Sequence, residues 1–409
     1  MTFDTLLAEA QDLLPEAVRL RRRLHRRPEI GNDLPFTRDQ VLEQIDGLGL
    51  DITMHEHTSG VAALLTGARP GPTLLLRGDM DALEMPENTD LPFQSEVDGA
   101  MHACGHDTHV AMLAGAAKLL SGRRSDLAGR VLFMFQPGEE GHHGARFMLE
   151  EGLLEVPPLP DGTPSPVTGA FAIHTTSSMP TGFVATKGGA LMASADRLEI
   201  TVTGKGGHAS EPHRAIDPVP IACEIVQALQ TMVTRRINIF DPGVVTIGRI
   251  SAGTTNNVIP ETAEIEGTIR AVSQATRQRL HEGIARVAEG VASAHEATAT
   301  VAIIRGYPVT VNANDFTAFA TGVADDLLGG DRVIRLPTPV MGAEDFSYVL
   351  ERVPGSMVFL GATPSDRDPS TAAPNHSNRV VYDEDCMSTG IALHAAIALR
   401  HLALTPPTP

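Results

Sequence analysis

The chain has no tryptophan, only three tyrosines and three cysteines, and lysine only at Lys118, Lys187 and Lys205. Apart from that shortage of aromatics the composition is that of an ordered soluble protein, 42% hydrophobic and 20% charged, and disorder is excluded. Cys104, Cys223 and Cys386 are too far apart for a disulfide framework or a CxxC metal knuckle. Positive charge is in deficit, and the formal net charge of -18 repels nucleic acid and anionic membrane, which excludes a phosphate-backbone binder. No apolar run approaches the roughly 20 residues of a membrane span. The opening MTFDTLLAEAQDLL reads as amphipathic helix, without the basic-then-apolar pattern of a secretory signal, so a cytoplasmic protein is expected. The preference for arginine over lysine touches nearly every basic position and carries no functional weight. No internal repeat or low-complexity segment is present.

At 409 residues the chain is comfortable as two domains. The first 50 residues read as helical, broken at Pro28, Gly47 and Gly49, with Arg21, Arg22 and Arg23 as a solvated helix face. TLLLRGD predicts a strand that delivers Asp79 and Asp81 to its end. MHACGHDTH leads into the buried helix VAMLAGAAKLL, RVLFMFQ predicts the next strand, and FAIHT a third that ends on histidine. This alternation of strand, polar loop and helix is α/β, with its chemistry at strand ends. Around Gly188 the texture changes to alternating strands and two amphipathic helices, one of them expected over 278–292. We therefore expect residues 1–190 and 306–409 to form one domain, with a second domain inserted over 191–305. The tail LTPPTP is expected to fray.

Residues 101–109, MHACGHDTH, pack three histidines, an aspartate and a cysteine into nine positions. Cys104 and His106 suit a borderline-soft divalent ion such as Zn²⁺, and tolerate Mn²⁺, Co²⁺ or Ni²⁺. Equally, Asp107 and Thr108 are explained by a helix-capping turn, and His109 by support of the helix. Glu139 and Glu140 follow an apolar strand; one can ligate a cation while the other handles protons, or both can be a surface loop. His174 and His376 are each ordinary in isolation. Together, Cys104, His106, Glu140, His174 and His376 exceed the needs of one tetrahedral ion and suit two ions sharing a bridging group.

The ordered motifs LHRRPEIG, RGDMDALEM, MHACGHDTHVAMLAGAAKLL, QPGEEGHHGARFMLEEG, FAIHT, GKGGHASEPH, GTTNNVIPETAEIEGTIR, MGAEDFSYVL and PNHS resemble the M20 peptidase superfamily. The similar branch contains hippurate hydrolases, N-acyl-amino-acid aminoacylases and auxin-conjugate hydrolases. The resemblance implies a zinc-peptidase-like mixed-sheet catalytic domain with an inserted ferredoxin-like α/β lid that mediates dimerisation. It implies two divalent ions, Zn²⁺ or Mn²⁺ first and Co²⁺ or Ni²⁺ next, with Cys104 bridging and His106, Glu140, His174 and His376 completing the shell. Glu139 would be the general base, Asp81 and Asp107 orienting carboxylates with Asp81 grouped with the catalytic set, and Glu344 a supporting group in the cleft. His208 would stabilise the oxyanion from the partner subunit of a homodimer. Asn257 and Arg270 would recognise a substrate carboxylate, with His213 a second cleft contact.

Some residues depart from the family pattern. His142 and His143 stand where small residues or proline are usual and could alter the cleft wall or add a ligand, HTTSSMP carries extra polar residues in what reads as a loop, and PEIGND lacks an acidic pair. The expected substrate is an N-acyl amino acid or small peptide. The rival readings are a dipeptidase or exopeptidase with the same metal chemistry, a hydrolase with Cys104 as nucleophile, and a non-catalytic metal-dependent binding protein. The last is disfavoured because metal binding does not require Glu139.

Overall fold

A computed structural model describes residues 3, 5–159 and 161–404, so the expected fraying over 405–409 lies outside the described residues. The chain divides into two compact units, one of Met1–Gly189, Val311–Thr338 and Tyr348–Pro409, the other of Ala190–Thr310 and Pro339–Ser347. The insertion expected over 191–305 thus runs five residues further, to Thr310. Pro339–Ser347, expected in the returning part of the catalytic domain, groups with the second unit instead.

The first unit is built on an eight-stranded mixed sheet. Its strands in chain order begin with β1 (Asp51–Met54), β2 (Val61–Thr66), β3 (Arg69–Asp79), β4 (Ala128–Gln136), β5 (Val167–Pro180) and β6 (Val184–Thr186). Across the sheet the order is β1, β2, β4, β3, β5, then strand Gly355–Thr363, β6 and strand Val333–Arg335. β4, β3, β5 and Gly355–Thr363 run parallel to one another. The short apolar run over 74–76 is what such a position demands, since a central parallel strand is covered on both faces; every residue from Gly71 to Asp79 is buried, the polar Arg77 and Asp79 included. Helices α1 (Leu6–Arg26), α2 (Pro35–Ile45), α3 (His106–Gly122) and α4 (Gly144–Glu150) follow in order.

β5 is longer than FAIHT suggests. HTTSSMP, which reads as a loop, continues the strand to Pro180, with His174 opposite Phe359 of the neighbouring strand. His174 therefore sits within a strand, two residues past Ala172, where pairing with β3 ends.

Contrary to the expectation that no apolar run approaches a membrane span, the C-terminal helix Cys386–Leu404 is long and apolar enough to cross one by length and hydropathy. Its residues from Ile391 to Leu399 are all buried in the first unit's core, so its apolarity is that of a core helix. It packs closely on α3, where a Cβ added at Gly115 would lie 2.6 Å from Ile391 Cδ1 and one at Gly390 2.0 Å from Met112 Sδ.

In the second unit four antiparallel strands and two helices, Pro218–Arg236 and Gln274–Ala294, follow the order β-α-β-β-α-β. The strands Ser194–Thr203, Gly243–Ala252, Thr262–Ala271 and Thr298–Arg305 lie in spatial order second, third, first, fourth, a ferredoxin-like arrangement. Alternation in RLEITVT turns Leu198, Ile200 and Val202 to the core with Ile221, Ile225, Leu280 and Ile284 of the helices.

One ionic cluster locks this unit. The buried Asp196 carboxylate accepts from Arg277 Nε at 2.9 Å, from the Gly306 amide at 3.0 Å, and lies 2.7 Å from His281 Nε2. Burial alone would raise its pKa, but Arg277 and His281 hold it well below the usual carboxylate range. Arg277→Ala should cost the second unit about 3–5 kcal/mol near neutral pH, because it strands a buried charge. A depressed carboxylate stabilises the fold above its unfolded pKa and loses that contribution as pH falls through the folded value. The difference between variant and wild type in urea unfolding should therefore shrink below about pH 4.

Candidate metal centre

Three parallel strands and one helix bring the candidate residues together. β3 ends at Asp79 and passes through Met80 to Asp81; β4 ends at Gln136 and turns through Pro137 and Gly138 to Glu139 and Glu140. α3 begins at His106 after Gly105, its N-cap, whose φ of 92° is left-handed. A Cβ at Gly105 would also lie 2.5 Å from Thr175 Oγ1, so only glycine fits between Cys104 and His106. His376 reaches the same place from a turn in which it adopts φ 67°.

Among the donor groups that result, Asp79 groups with His106 and His109, Glu139 groups with His106 and Glu140, and two triads share one sulfur. Cys104, His106 and His174 form one and Cys104, Glu140 and His376 the other, the ligand atoms of each lying within 4.8 Å of one another. Cys104 Sγ is 3.4 Å from His174 Nε2 and 3.3 Å from His376 Nε2, and His376 Nε2 is 3.2 Å from Glu140 Oε1. His106 Nε2 is 4.0 Å from the nearest oxygen of both Glu139 and Glu140.

Hydrogen bonds fix which nitrogens are free to bind a cation. A carbonyl oxygen only accepts, so His106 donates Nδ1–H to the Asp81 carbonyl at 2.8 Å and His174 donates Nδ1–H to that of Thr175 at 2.8 Å. In the neutral rings this leaves lone pairs on Nε2, aimed into the cluster. Buried His106 Nε2 makes no hydrogen bond within the protein, and Glu140 Oε1, 4.0 Å from it, is held only from its other side by His376 at 3.2 Å. Buried polar atoms of opposite character that converge without satisfying one another fit a cation between them.

The electrostatics agree. Burial would raise the Cys104 thiol, but His174 and His106 bring it down to about 5, so a thiolate is present at neutral pH. Hydrogen bonds to Cys104 and Glu140 raise His376 to about 10. Without a cation this anionic field is balanced by protons on imidazoles, and binding of a metal would release them.

Asp81 does not face the cluster as a proton-transfer group. Its Oδ1 accepts from the Glu139 amide at 3.0 Å and its Oδ2 from the Glu140 amide at 2.9 Å, so it clamps the turn carrying both glutamates while its carbonyl orients His106. Asp107 is not a cap: it meets Arg21 and His25 of α1, and the cap position belongs to Gly105. The expected solvated face at Arg21 is likewise overturned. Arg21 is 1% exposed, whereas Arg22 and Arg23 do reach solvent, because Arg21 projects toward Asp107 and Glu384.

Several contributors carried no separable signal in the sequence. His109 accepts the Thr175 amide on Nε2 at 2.8 Å and so donates Nδ1–H to Asp79, whose other oxygen lies 3.2 Å from His106 Nε2. Asn375 donates to the carbonyls of Cys104 and Thr175 at 3.1 and 3.0 Å, tying the bridging residue to the His174 strand. His142 and His143 join no ligand group among the described residues; His143 Nδ1 is 2.9 Å from the Tyr348 hydroxyl.

The remaining candidates lie in the second unit. His208 is exposed on a short strand opposite Val258, with Nδ1 2.7 Å from the Ser210 hydroxyl, and the neighbouring Ala209 amide donates to the Asn257 carbonyl. His213 is exposed in a one-turn helix, and Arg270 is half-buried opposite Ala195, where burial lowers its pKa. Glu344 is buried in Pro339–Ser347 and accepts the Phe346 amide at 2.9 Å.

Loss of the clamp should loosen both glutamates at once. We expect Asp81→Ala to lower kcat/KM for amide hydrolysis by roughly 10–100-fold, the range seen when outer-shell partners of metal ligands are removed. Unchanged kcat/KM in a steady-state assay would show that the Glu139–Glu140 turn holds itself.

Comparison with known proteins agrees with the geometry. Residues 75–400 match the peptidase family M20/M25/M40. The thermostable carboxypeptidase 1 of Saccharolobus solfataricus is 37% identical over 387 residues, 94% of each chain. The N-acetylcysteine deacetylase of Bacillus subtilis is 37% identical over 383 residues, 93% of this chain and 96% of its own. The crystal structure of the Bacillus subtilis YXEP protein, described as a dinuclear metal binding peptidase from the M20 family, superposes with a TM-score of 0.82. It is 34% identical and covers 96% of this chain and 99% of its own. By matched span, identity and fold, this chain belongs to peptidase family M20/M25/M40.

Proposed function

We propose that this protein hydrolyses the amide bond of small N-acyl amino acids at a dinuclear centre built on Cys104, with Glu139 as general base. The observation that carries the proposal is the pair of donor triads meeting at one sulfur, with Glu139 outside both of them but close enough to group with His106 and Glu140. The chain is a metal-dependent amide hydrolase of its family.

Cys104, His106 and His174 would hold one divalent ion and Cys104, Glu140 and His376 the other. When bound, such ions supply Lewis-acid polarisation of a carbonyl and acidify water. The protein's own part is proton handling and orientation. Glu139, 5% exposed at the end of β4, takes a proton from the attacking water and returns it to the departing amine. Asp81 keeps the Glu139 backbone still while this occurs. On the family resemblance we assign His208 to the oxyanion, Asn257, Arg270 and His213 to recognition of the substrate, Glu344 to support, and the second unit to homodimer contacts.

A carboxypeptidase reading has one specific support, the activity for which the Saccharolobus relative is named. Both readings share the chemistry and differ in the acyl side of the substrate. Assays with N-acetyl and N-benzoyl amino acids, N-blocked peptides and free dipeptides separate them: we expect the simple N-acyl amino acids to give the highest kcat/KM, and a preference for peptides would favour the second.

A chelator should abolish turnover, and added Zn²⁺, Mn²⁺ or Co²⁺ should restore it. Retained activity after verified metal removal, with loss on cysteine alkylation, would instead point to Cys104 as nucleophile. Glu139→Gln should lower kcat by about 10²–10⁴-fold while metal content by elemental analysis stays at the wild-type value. A drop in metal content would reassign Glu139 as a ligand.

A further inference from the structure

α1 contributes two cations to a network behind the first turn of α3 that is buried except at Glu384. Arg21 Nε donates to Asp107 Oδ2 at 2.8 Å and Arg21 Nη1 to Glu384 Oε1 at 3.0 Å. One helical turn on, His25 Nδ1 lies 2.8 Å from the same Asp107 oxygen and His25 Nε2 lies 3.2 Å from Glu87 Oε1. Both ring nitrogens face carboxylates, which accept, so the ring is held as a two-donor imidazolium. The side chains of Arg21, Asp107, His25 and Glu87 are each 2% exposed or less.

Burying this much charge is a poor route to stability, because desolvation offsets most of the Coulombic gain, and apolar side chains of the same volume do as well or better. What such a network does specify is position. Successive residues of an α-helix are separated by about 100° around the axis, so turning Asp107 toward α1 sets the direction in which His106 points. The Gly105 cap contributes no side-chain bond to this turn. Its side-chain anchors are the Asp107 network, His106 Nδ1 to the Asp81 carbonyl, Thr108 Oγ1 to the Gly105 carbonyl at 2.6 Å, and His109 to Asp79 and the Thr175 amide; of these only the Asp107 network ties the turn to α1.

We propose that Arg21 and His25 are positioning residues for the metal centre, holding the azimuth of α3 so that His106 and the adjacent Cys104 converge on His174, Glu140 and His376. This rests on the dinuclear reading above. It assigns a role to His25 of LHRRPE, a motif that neither the ligand set nor the general base accounts for, and to Arg21 one turn before it.

The same two helices supply a control. At the far end of α3, Arg123 Nε donates to Glu9 Oε2 of α1 at 2.8 Å, joining the same helices without touching the ligand turn. The experiment compares Arg21→Met, His25→Phe and Arg123→Met in the full-length protein. Co²⁺ affinity is measured by chelator competition, thiolate coordination by the Co²⁺–thiolate absorption band, and stability by thermal melting.

At comparable loss of melting temperature, the Arg21 and His25 variants should bind Co²⁺ roughly 10–100-fold more weakly with an altered thiolate band, and the Arg123 variant should bind as wild type does. Should either core variant fail to fold, Glu384→Gln loosens Arg21 from its half-buried end and should weaken binding in the same direction by less. Wild-type affinity and an unshifted band in the Arg21, His25 and Glu384 variants, or equal weakening in the Arg123 control, would overturn the proposal. Absence of a thiolate band in the wild type would instead sink the dinuclear reading itself.

Discussion

Cys104 sits where two sets of donors meet, and its sulfur is the constraint around which the first unit is arranged. A buried sulfur with His174 and His376 nitrogens at 3.4 and 3.3 Å and the Glu140 carboxylate beside His376 gathers at one point the donor types that a divalent ion takes. Each surrounding element keeps one donor aimed at this point. The parallel strands bring Asp79 and the Glu139–Glu140 turn, β5 brings His174, and the loop before the C-terminal helix brings His376. The chemistry therefore depends on several strand ends held in register by an apolar sheet.

Behind these donors the protein uses its backbone as much as its side chains. Asp81 binds two amides and orients one imidazole, Asn375 binds two carbonyls, and His109 reads an amide of β5 while bonding Asp79. None of these groups needs to meet substrate. Their collective effect is that the ring nitrogens facing the cluster lack protons in the neutral rings, which is what coordination of a cation requires.

Much of this was legible in the sequence, for reasons that differ by residue. Cys104, His106, Glu140, His174 and His376 were each unremarkable alone; as a set they suggested two ions, and the family resemblance gave them their places as ligands. An α/β domain with an inserted block of strands and helices followed from texture, with alternation in RLEITVT against the apolar LLL of TLLLRGD. The mixed sheet and the ferredoxin-like lid were implied by the family resemblance. Arg21 could not be read this way. Arg21, Arg22 and Arg23 are chemically identical neighbours, and only a partner 86 residues away selects the first for burial. His174 was placed at a strand end because apolar alternation stops there, but β5 continues through polar residues whose backbone pairs with Gly355–Thr363. The grouping of Pro339–Ser347 with the second unit is equally a matter of long-range contact.

The central claim is that one sulfur serves two cations. Equilibrium titration of the metal-free protein with Zn²⁺, counted by elemental analysis after removal of free ion, measures it directly in wild type and in Cys104→Ser. A shared thiolate predicts two tightly held ions per wild-type chain and loss of both in Cys104→Ser. A single ion in the wild type, or two retained in the variant, would contradict it.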